Sequence, residues 1–213
     1  GEPQKPDGEA ALMGAQITKR IGELSARLKK ADLSPTMRKV SSYLVSSAVK
    51  KINAGVPPEN APLTQAVKQG NKTLRDNGQL MSSIAPQSGK TWAAAQTNLK
   101  YAKIQQEGGE IRGGSKGLWI PASAKTRTLM RKHNAQKPGE LIQAMKGDGY
   151  SFFRTRKVFC AKSKRGKPFA LFIIKESVKI PARPFLHIDE KDEKHIQREI
   201  RNGVREALKG GSE

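Results

Sequence analysis

Cysteine is nearly absent from this chain. Cys160 stands alone among 213 residues, which excludes an internal disulfide and any zinc site built on several thiolates, and fits synthesis in a reducing cytoplasm. Aromatic residues are also scarce, at 5%. A modest core is therefore expected, with subunit contacts adding to its stability. Long apolar runs are missing. The strongest, Phe169–Ile174, is far short of the roughly 20 residues that span a bilayer, and the polar N-terminus predicts no signal peptide. Negative charge is in short supply too: 19 acidic residues face 40 basic ones, for a net charge of +21. The excess is uneven. Residues 113–180 hold sixteen Lys and Arg against three Asp and Glu, or +13, whereas residues 181–213 balance. Such a segment repels copies of itself unless it faces a polyanion, an acidic partner or solvent.

The hydrophobic pattern that remains is α-helical at both ends and β-rich in between. Ile17, Ile21, Leu24 and Leu28 recur at helical spacing within residues 9–31. Ser34-Pro35 reads as an N-cap followed by proline at the first helical position. Met37, Val40, Leu44, Ala48 and Ile52 then form one face of a second helix, ended by Gly55 and Pro57-Pro58. The two helices predict an antiparallel hairpin. Leu63–Val67 reads as a short helical turn, Thr91–Gln96 as a strand, Tyr101–Glu107 as a short helical or extended piece, and Trp119-Ile120 as a strand ending at Pro121. Residues 122–146 are mostly helical, with an interruption at Pro138-Gly139. Two β-rich runs flank Ala161–Lys167 and predict a β-hairpin with a basic tip. After Pro181-Ala182-Arg183-Pro184, a stiff link, Asp189 caps a last helix whose stripe is Ile196, Ile200, Val204 and Leu208. The expected organisation is one domain: an arm over 1–8, the helical hairpin and start of the sheet over 9–112, a basic insertion over 113–150, and the β-hairpin with the C-terminal helix over 151–213.

No reacting centre is legible. Ser88-Gly89-Lys90-Thr91 ends like a phosphate-binding loop, but that pattern needs glycine at position 84, where Ile84 stands. Asp189 and Asp192, near His187 and His195, are read as helix-cap and first-turn residues, not metal ligands, and His195 is expected on the helix surface. Cys160 is read as packing, with no His–carboxylate pair to activate it. The chain is expected to be no enzyme and to need no cofactor or metal. The strongest chemical feature is cationic. Lys162, Lys164, Arg165 and Lys167 at the hairpin tip, with Arg154, Arg156 and Lys157 nearby, can contact either phosphates or an acidic protein. Within the link Pro181, Arg183, Pro184 and Phe185, the prolines restrict the backbone while Phe185 and Leu186 anchor it.

Three stretches occur in a telling order. The first is Ala61-Pro62-Leu63-Thr64 followed by Leu74-Arg75-Asp76-Asn77-Gly78-Gln79-Leu80-Met81-Ser82-Ser83-Ile84. The second is Tyr101–Gly109, with Gln105 at a position where histidine is common. The third is Ile180-Pro181-Ala182-Arg183-Pro184-Phe185-Leu186 before an acidic-capped helix. Together they resemble the phage virion morphogenesis family, the tail-completion proteins of Mu-like and related tailed phages, over about two thirds of the chain. The basic segment near 113–170 is not part of that resemblance. The resemblance implies an α+β fold with an N-terminal helical hairpin, an antiparallel sheet and a C-terminal helix. It implies a homo-oligomer, in the form of a ring at the neck or tail end, for tail completion or head–tail joining. Implied partners are other neck, head or tail proteins; the charge of residues 113–180, separately, suggests packaged double-stranded DNA as a further partner, and the lack of a long apolar run predicts no membrane. The implied location is the virion, and the host cytoplasm during assembly. The alternative is a sequence-independent nucleic-acid-binding protein acting outside the particle.

Overall fold

The computed structural model describes residues 19, 20, 22, 23, 25, 26, 31–68 and 72–209. Ile17, Ile21, Leu24 and Leu28, the expected face of a first helix, lie outside them, as does the arm over 1–8. The described residues divide into two compact units. The fold is α+β, with antiparallel strand pairs and a long C-terminal helix.

The first unit includes residues 31–47, 85–96 and 188–209. Helix α1 (Ser34–Ala54) starts at a cap supplied by Asp32, whose Oδ1 accepts the Ser34 N–H at 2.9 Å. The sequence pointed to Ser34 as the cap. Asp32 provides the same kind of oxygen two residues earlier, and the Ser34 bonds lower its carboxyl pKa. Met37 and Val40 on the expected face are buried, and Leu44 is half-buried. Strands β1 (Ala85–Ser88) and β2 (Ala93–Gln96) form a two-stranded antiparallel ribbon. Its turn holds the Gly89-Lys90-Thr91 segment, closed by the Gly89 N–H on the Trp92 carbonyl at 2.9 Å.

The unit's C-terminal helix runs over Glu190–Lys209 and is numbered α7 below. It begins as the sequence predicts: Asp189 Oδ1 accepts the Asp192 N–H at 2.9 Å, and Asp192 Oδ2 accepts the Asp189 N–H at 3.2 Å. This reciprocal pair satisfies two donors that a helix start leaves without intrahelical partners. Farther along, Gly203 is buried against Thr36 of α1. A methyl group there would overlap Thr36 Oγ1 and lie 2.7 Å from its Cγ2 and 2.8 Å from its Cβ. Threonine is stiff at χ1 and cannot swing away cheaply. Gly203→Ala should therefore lower stability by about 1–3 kcal/mol, read as a shifted urea midpoint. Thr36→Ser in the same chain should restore part of it.

The second unit takes residues 48–84 and 97–187. It begins with the end of α1, where Ala48 and Ile52 are buried, and with Gly55, whose φ of +95° suits a glycine just past a helix. Short helices α2 (Pro62–Val67), α3 (Gln79–Ser82) and α4 (Ala102–Glu107) follow. Strand β3 (Gly109–Arg112) pairs antiparallel with β8 (Ser177–Ile180). The larger sheet has the order β4-β7-β6-β5, from β4 (Leu118–Pro121), β5 (Ser151–Arg154), β6 (Val158–Lys162) and β7 (Phe169–Lys175). The predicted hairpin with its basic tip is β6–β7.

Helices α5 (Ala124–Lys132) and α6 (Pro138–Gly147) supply the other half of this unit's core. Leu141, Met145, Ala161, Leu171 and Phe172 are buried together, with Trp119, Phe152, Phe159 and Phe169 packed around them. The helical stretch is broken between α5 and α6, as the sequence predicts, and Pro138 marks the restart. It opens α6, where its missing N–H costs nothing. Glu140 Oε2 accepts the backbone N–H groups of Gln136 (2.7 Å) and Lys137 (3.1 Å), and these bonds hold its carboxyl below the usual range. A lowered carboxyl stabilises the fold above its unfolded pKa and loses that contribution as pH falls through the folded value. Glu140→Gln should therefore flatten the acid limb of a plot of melting temperature against pH. The two proteins should converge once the carboxylates of the parent are protonated.

One irregularity links sheet and helix. Cys160 pairs with Ala170 and Phe159 with Phe172, so Leu171 is an extra residue in β7. Its carbonyl, on the β4 side, accepts the Ala122 N–H at 3.1 Å, which continues the β4–β7 register, and also the hydroxyl of fully buried Thr126 at 3.0 Å. This second bond ties α5 to the sheet.

Candidate functional site

The seven cations singled out from the sequence fall into two groups. Arg154, Arg156 and Lys157 lie at the β5–β6 turn. Lys162, Lys164, Arg165 and Lys167 lie at the β6–β7 turn, at the other end of β6. With a rise of about 3.3 Å per residue, Lys157 and Lys162 are about 17 Å apart along the strand. All seven are exposed. Among the described residues none of them is in an ion pair, whereas Arg127 pairs with Asp76 at 2.6 Å and Arg112 with Glu110 at 2.9 Å. Their charge is left for solvent or a partner.

The proline link is held differently from what its prolines alone implied. Pro181 and Pro184 are exposed, while Arg183 and Phe185 are buried. Arg183 donates from Nε to the Pro58 carbonyl (2.7 Å) and from Nη2 to the Glu59 carbonyl (2.9 Å). Its own N–H goes to the Gln105 carbonyl at 2.8 Å. Burial pulls the guanidinium pKa below its ordinary value, since neutral carbonyls compensate only part of the lost hydration. Gln106 completes the clamp. Its Oε1 accepts the N–H groups of Phe185 and Leu186, both at 2.9 Å, and its Nε2 donates to the Leu186 carbonyl at 3.1 Å. Gln106 was not singled out from the sequence, although it sits in the Tyr101–Gly109 stretch. A glutamine offers no periodicity or charge signal that would have marked it.

The same stretches enclose a cleft of about 800 Å3 in the second unit. Leu63, Val67, Leu80, Ile120, Val178 and Ile180 give it apolar walls. Its polar lining includes the Arg127–Asp76 pair, Lys68 and Asn60. Burial lowers the Lys68 pKa, and Asn60 Nδ2 is buried without a hydrogen-bond partner among the described residues. All three family-like stretches contribute to this one cleft through Leu63 and Asp76, through Tyr101 and Gln105, and through Ile180 and Arg183.

The sequence pattern of the phage virion morphogenesis family matches residues 12–137, more than half of the chain. The chain belongs to the phage virion morphogenesis family. No curated protein and no solved structure matches it. Family membership gives the chain a role in building a phage virion together with other phage proteins. The match takes in α1, the Leu74–Ile84 stretch, α4 and the first part of the basic segment. It stops before the proline link and before the seven cations.

In the first unit, the residues that a metal reading would have used are otherwise engaged. Asp192 is buried, and its Oδ1 accepts the Tyr43 hydroxyl at 3.0 Å and the Ser47 hydroxyl at 2.7 Å. Burial, then the bond to Asp192, raises the Tyr43 pKa, so the phenol remains a donor. His195, expected on the helix surface, is half-buried and stacks on Tyr43 with ring centroids 3.7 Å apart. In the second unit, His187 Nδ1 lies 3.0 Å from the Pro184 carbonyl. Among the described residues no group of three His, Cys, Asp or Glu side chains is placed to hold a metal, and no helix is long and apolar enough to cross a membrane.

Proposed function

We propose that this protein completes the tail or joins head to tail in a phage particle, acting through geometry and self-association as a ring at the neck or tail end, without catalysis. The observation that carries this reading is the family match over residues 12–137. It is supported by the way the family-like stretches converge on one apolar-walled cleft, a shape suited to accepting a segment of a neighbouring subunit. Ring formation needs two different surfaces that meet head to tail around a closed circle, and a cleft that engages something other than itself is one half of such a pair.

Light scattering on the full-length protein over a range of concentrations tests the association, with a multimer as the expected result. Particles assembled without the protein should be defective in tail or head–tail joining. A chain that stays monomeric at every concentration, together with intact particles made in its absence, would defeat the proposal. A second reading is a nucleic-acid-binding protein acting outside the particle, favoured by the seven unpaired cations. It differs in requiring duplex binding that weakens steeply with salt and no incorporation into particles.

A further inference from the structure

The four-stranded sheet has two faces, and only one carries the core of its unit. Side chains directly opposite each other in a ladder point the same way, and neighbours along a strand alternate. Phe152, Ala161 and Phe169 therefore share the core face. Phe153, Cys160 and Ala170 share the other, as do Val158, Ile173 and Ile120 one rung along. None of these six belongs to the core cluster. Phe153 is 45% exposed, Ala170 is exposed, and the others are half-buried. Ile120 also lines the cleft, so the apolar face runs without a break from the edge strand β5 into that cleft.

Charge brackets this face at both ends. Arg156, in the β5–β6 turn, stands at one end, and Lys162, Lys164, Arg165 and Lys167 at the other; Arg154, opposite Phe159, and Lys157, next to Val158, alternate to the core side. Lys175, exposed and two residues beyond Ile173, lies on the same side. A second copy of this face is a poor occupant, because a two-fold contact sets cations against cations. Duplex DNA would satisfy the cations but has no use for six apolar side chains between them, since its outer surface is phosphate and sugar. What matches both features is a protein surface with an apolar stripe flanked by carboxylates. The roughly 17 Å between the two turns is spanned by about twelve residues of α-helix at 1.5 Å per residue.

We infer that the outer face of the β4-β7-β6-β5 sheet is a docking surface for an acidic amphipathic helix of a partner protein, with Phe153 as its apolar anchor and Arg156 and the β6–β7 turn cations as its clamps. This names a partner chemistry for the assembly role proposed above and rests on that role. Its test needs neither a ring nor a particle, so the two can fail separately.

The probe is a fluorescently labelled fourteen-residue peptide with leucines at helical spacing on one stripe and glutamates flanking it. The same composition with the stripe scrambled serves as control, and a twenty-base-pair duplex as competitor class. For the full-length protein, anisotropy should show the striped peptide binding at least tenfold more tightly than the scrambled one. Phe153→Ser should weaken the striped peptide by about tenfold or more and leave the duplex unaffected. Because Phe153 is nearly half exposed and outside the core cluster, the variant's melting temperature should fall only slightly. Alanine at Lys162, Lys164, Arg165 and Lys167 should weaken the peptide and reduce its salt dependence. Cys160, directly opposite Phe153, supplies a second readout: the striped peptide should slow its alkylation by iodoacetamide, and the duplex should not.

Equal binding of the two peptides, or indifference to Phe153→Ser, would overturn the inference. So would a duplex that binds more tightly than the peptide and protects Cys160, which would make nucleic acid the occupant. A dimer abolished by Phe153→Ser in light scattering would make a second copy the occupant and overturn it as well.

Discussion

Asp192→Ala should lower the stability of the full-length protein by about 3–5 kcal/mol, combining a lost helix cap with buried donors left unpaired. The Tyr43 hydroxyl, the Ser47 hydroxyl and the Asp189 N–H all meet at this carboxylate. Removing it leaves the first two donors facing the space vacated by a residue only 3% exposed and frees one end of the reciprocal cap on α7. The stacked His195–Tyr43 pair loses the bond that orients the phenol. Urea unfolding followed by circular dichroism measures the loss, and tyrosine fluorescence reports the ring's release. Asp192→Asn should cost less than alanine, since an amide keeps one acceptor but offers its donors where acceptors are needed. If alanine proved no worse than asparagine, the network would not be the source of the stability.

Arg183→Ala should cost about 3–5 kcal/mol, since two hydrogen bonds from a charged donor, each worth about 1.5–3 kcal/mol, are lost. The effect should fall on the second unit. The guanidinium ties residues 58 and 59 to the link that follows β8, and its stem packs in the same buried position. Arg183→Lys should recover little, because an ammonium cannot present two donors in the fixed fork that reaches both carbonyls. Hydrogen exchange should show faster exchange of the Phe185 and Leu186 amides, now held by Gln106 alone. The comparison with Pro181→Ala/Pro184→Ala is informative: both prolines are exposed, so the double variant should be much milder. A proline pair as damaging as the arginine would return the weight to backbone stiffness.

Much of this architecture was legible because it depends on periodicity. The spacing of Met37, Val40, Ala48 and Ile52 located a helix face that is buried. The two β-rich runs around residues 161–167 located the β6–β7 hairpin, and Asp189 located the start of α7. Elements without a periodic signal were missed. Strand β1, Ala-Pro-Gln-Ser, is polar and carries a proline, which a two-stranded ribbon tolerates. Strand β3 is exposed at all four positions and owes its existence to its partner β8. The outer sheet face was hidden for a different reason. Phe152-Phe153 and Val158-Phe159-Cys160-Ala161 are apolar at every position, a pattern that reads as a strand covered on both sides. Only the register shows that one of the two apolar sets is left outside the core. Similarly, composition identified the cations but could not separate them, because residues 154–157 and 162–167 are close in sequence and are driven apart by the strand between them.

The carbonyl of Leu171 has a consequence for how α5 is seated. A helix held to a sheet by greasy contact alone can slip along it by a turn, exchanging one set of methyl groups for another at small expense. The Thr126 hydroxyl meets this oxygen at a fixed height on β7, and one turn of slippage would carry it about 5 Å away. That one bond therefore acts as a detent: it fixes where along the sheet the helix comes to rest, independently of how well the side chains above it fit.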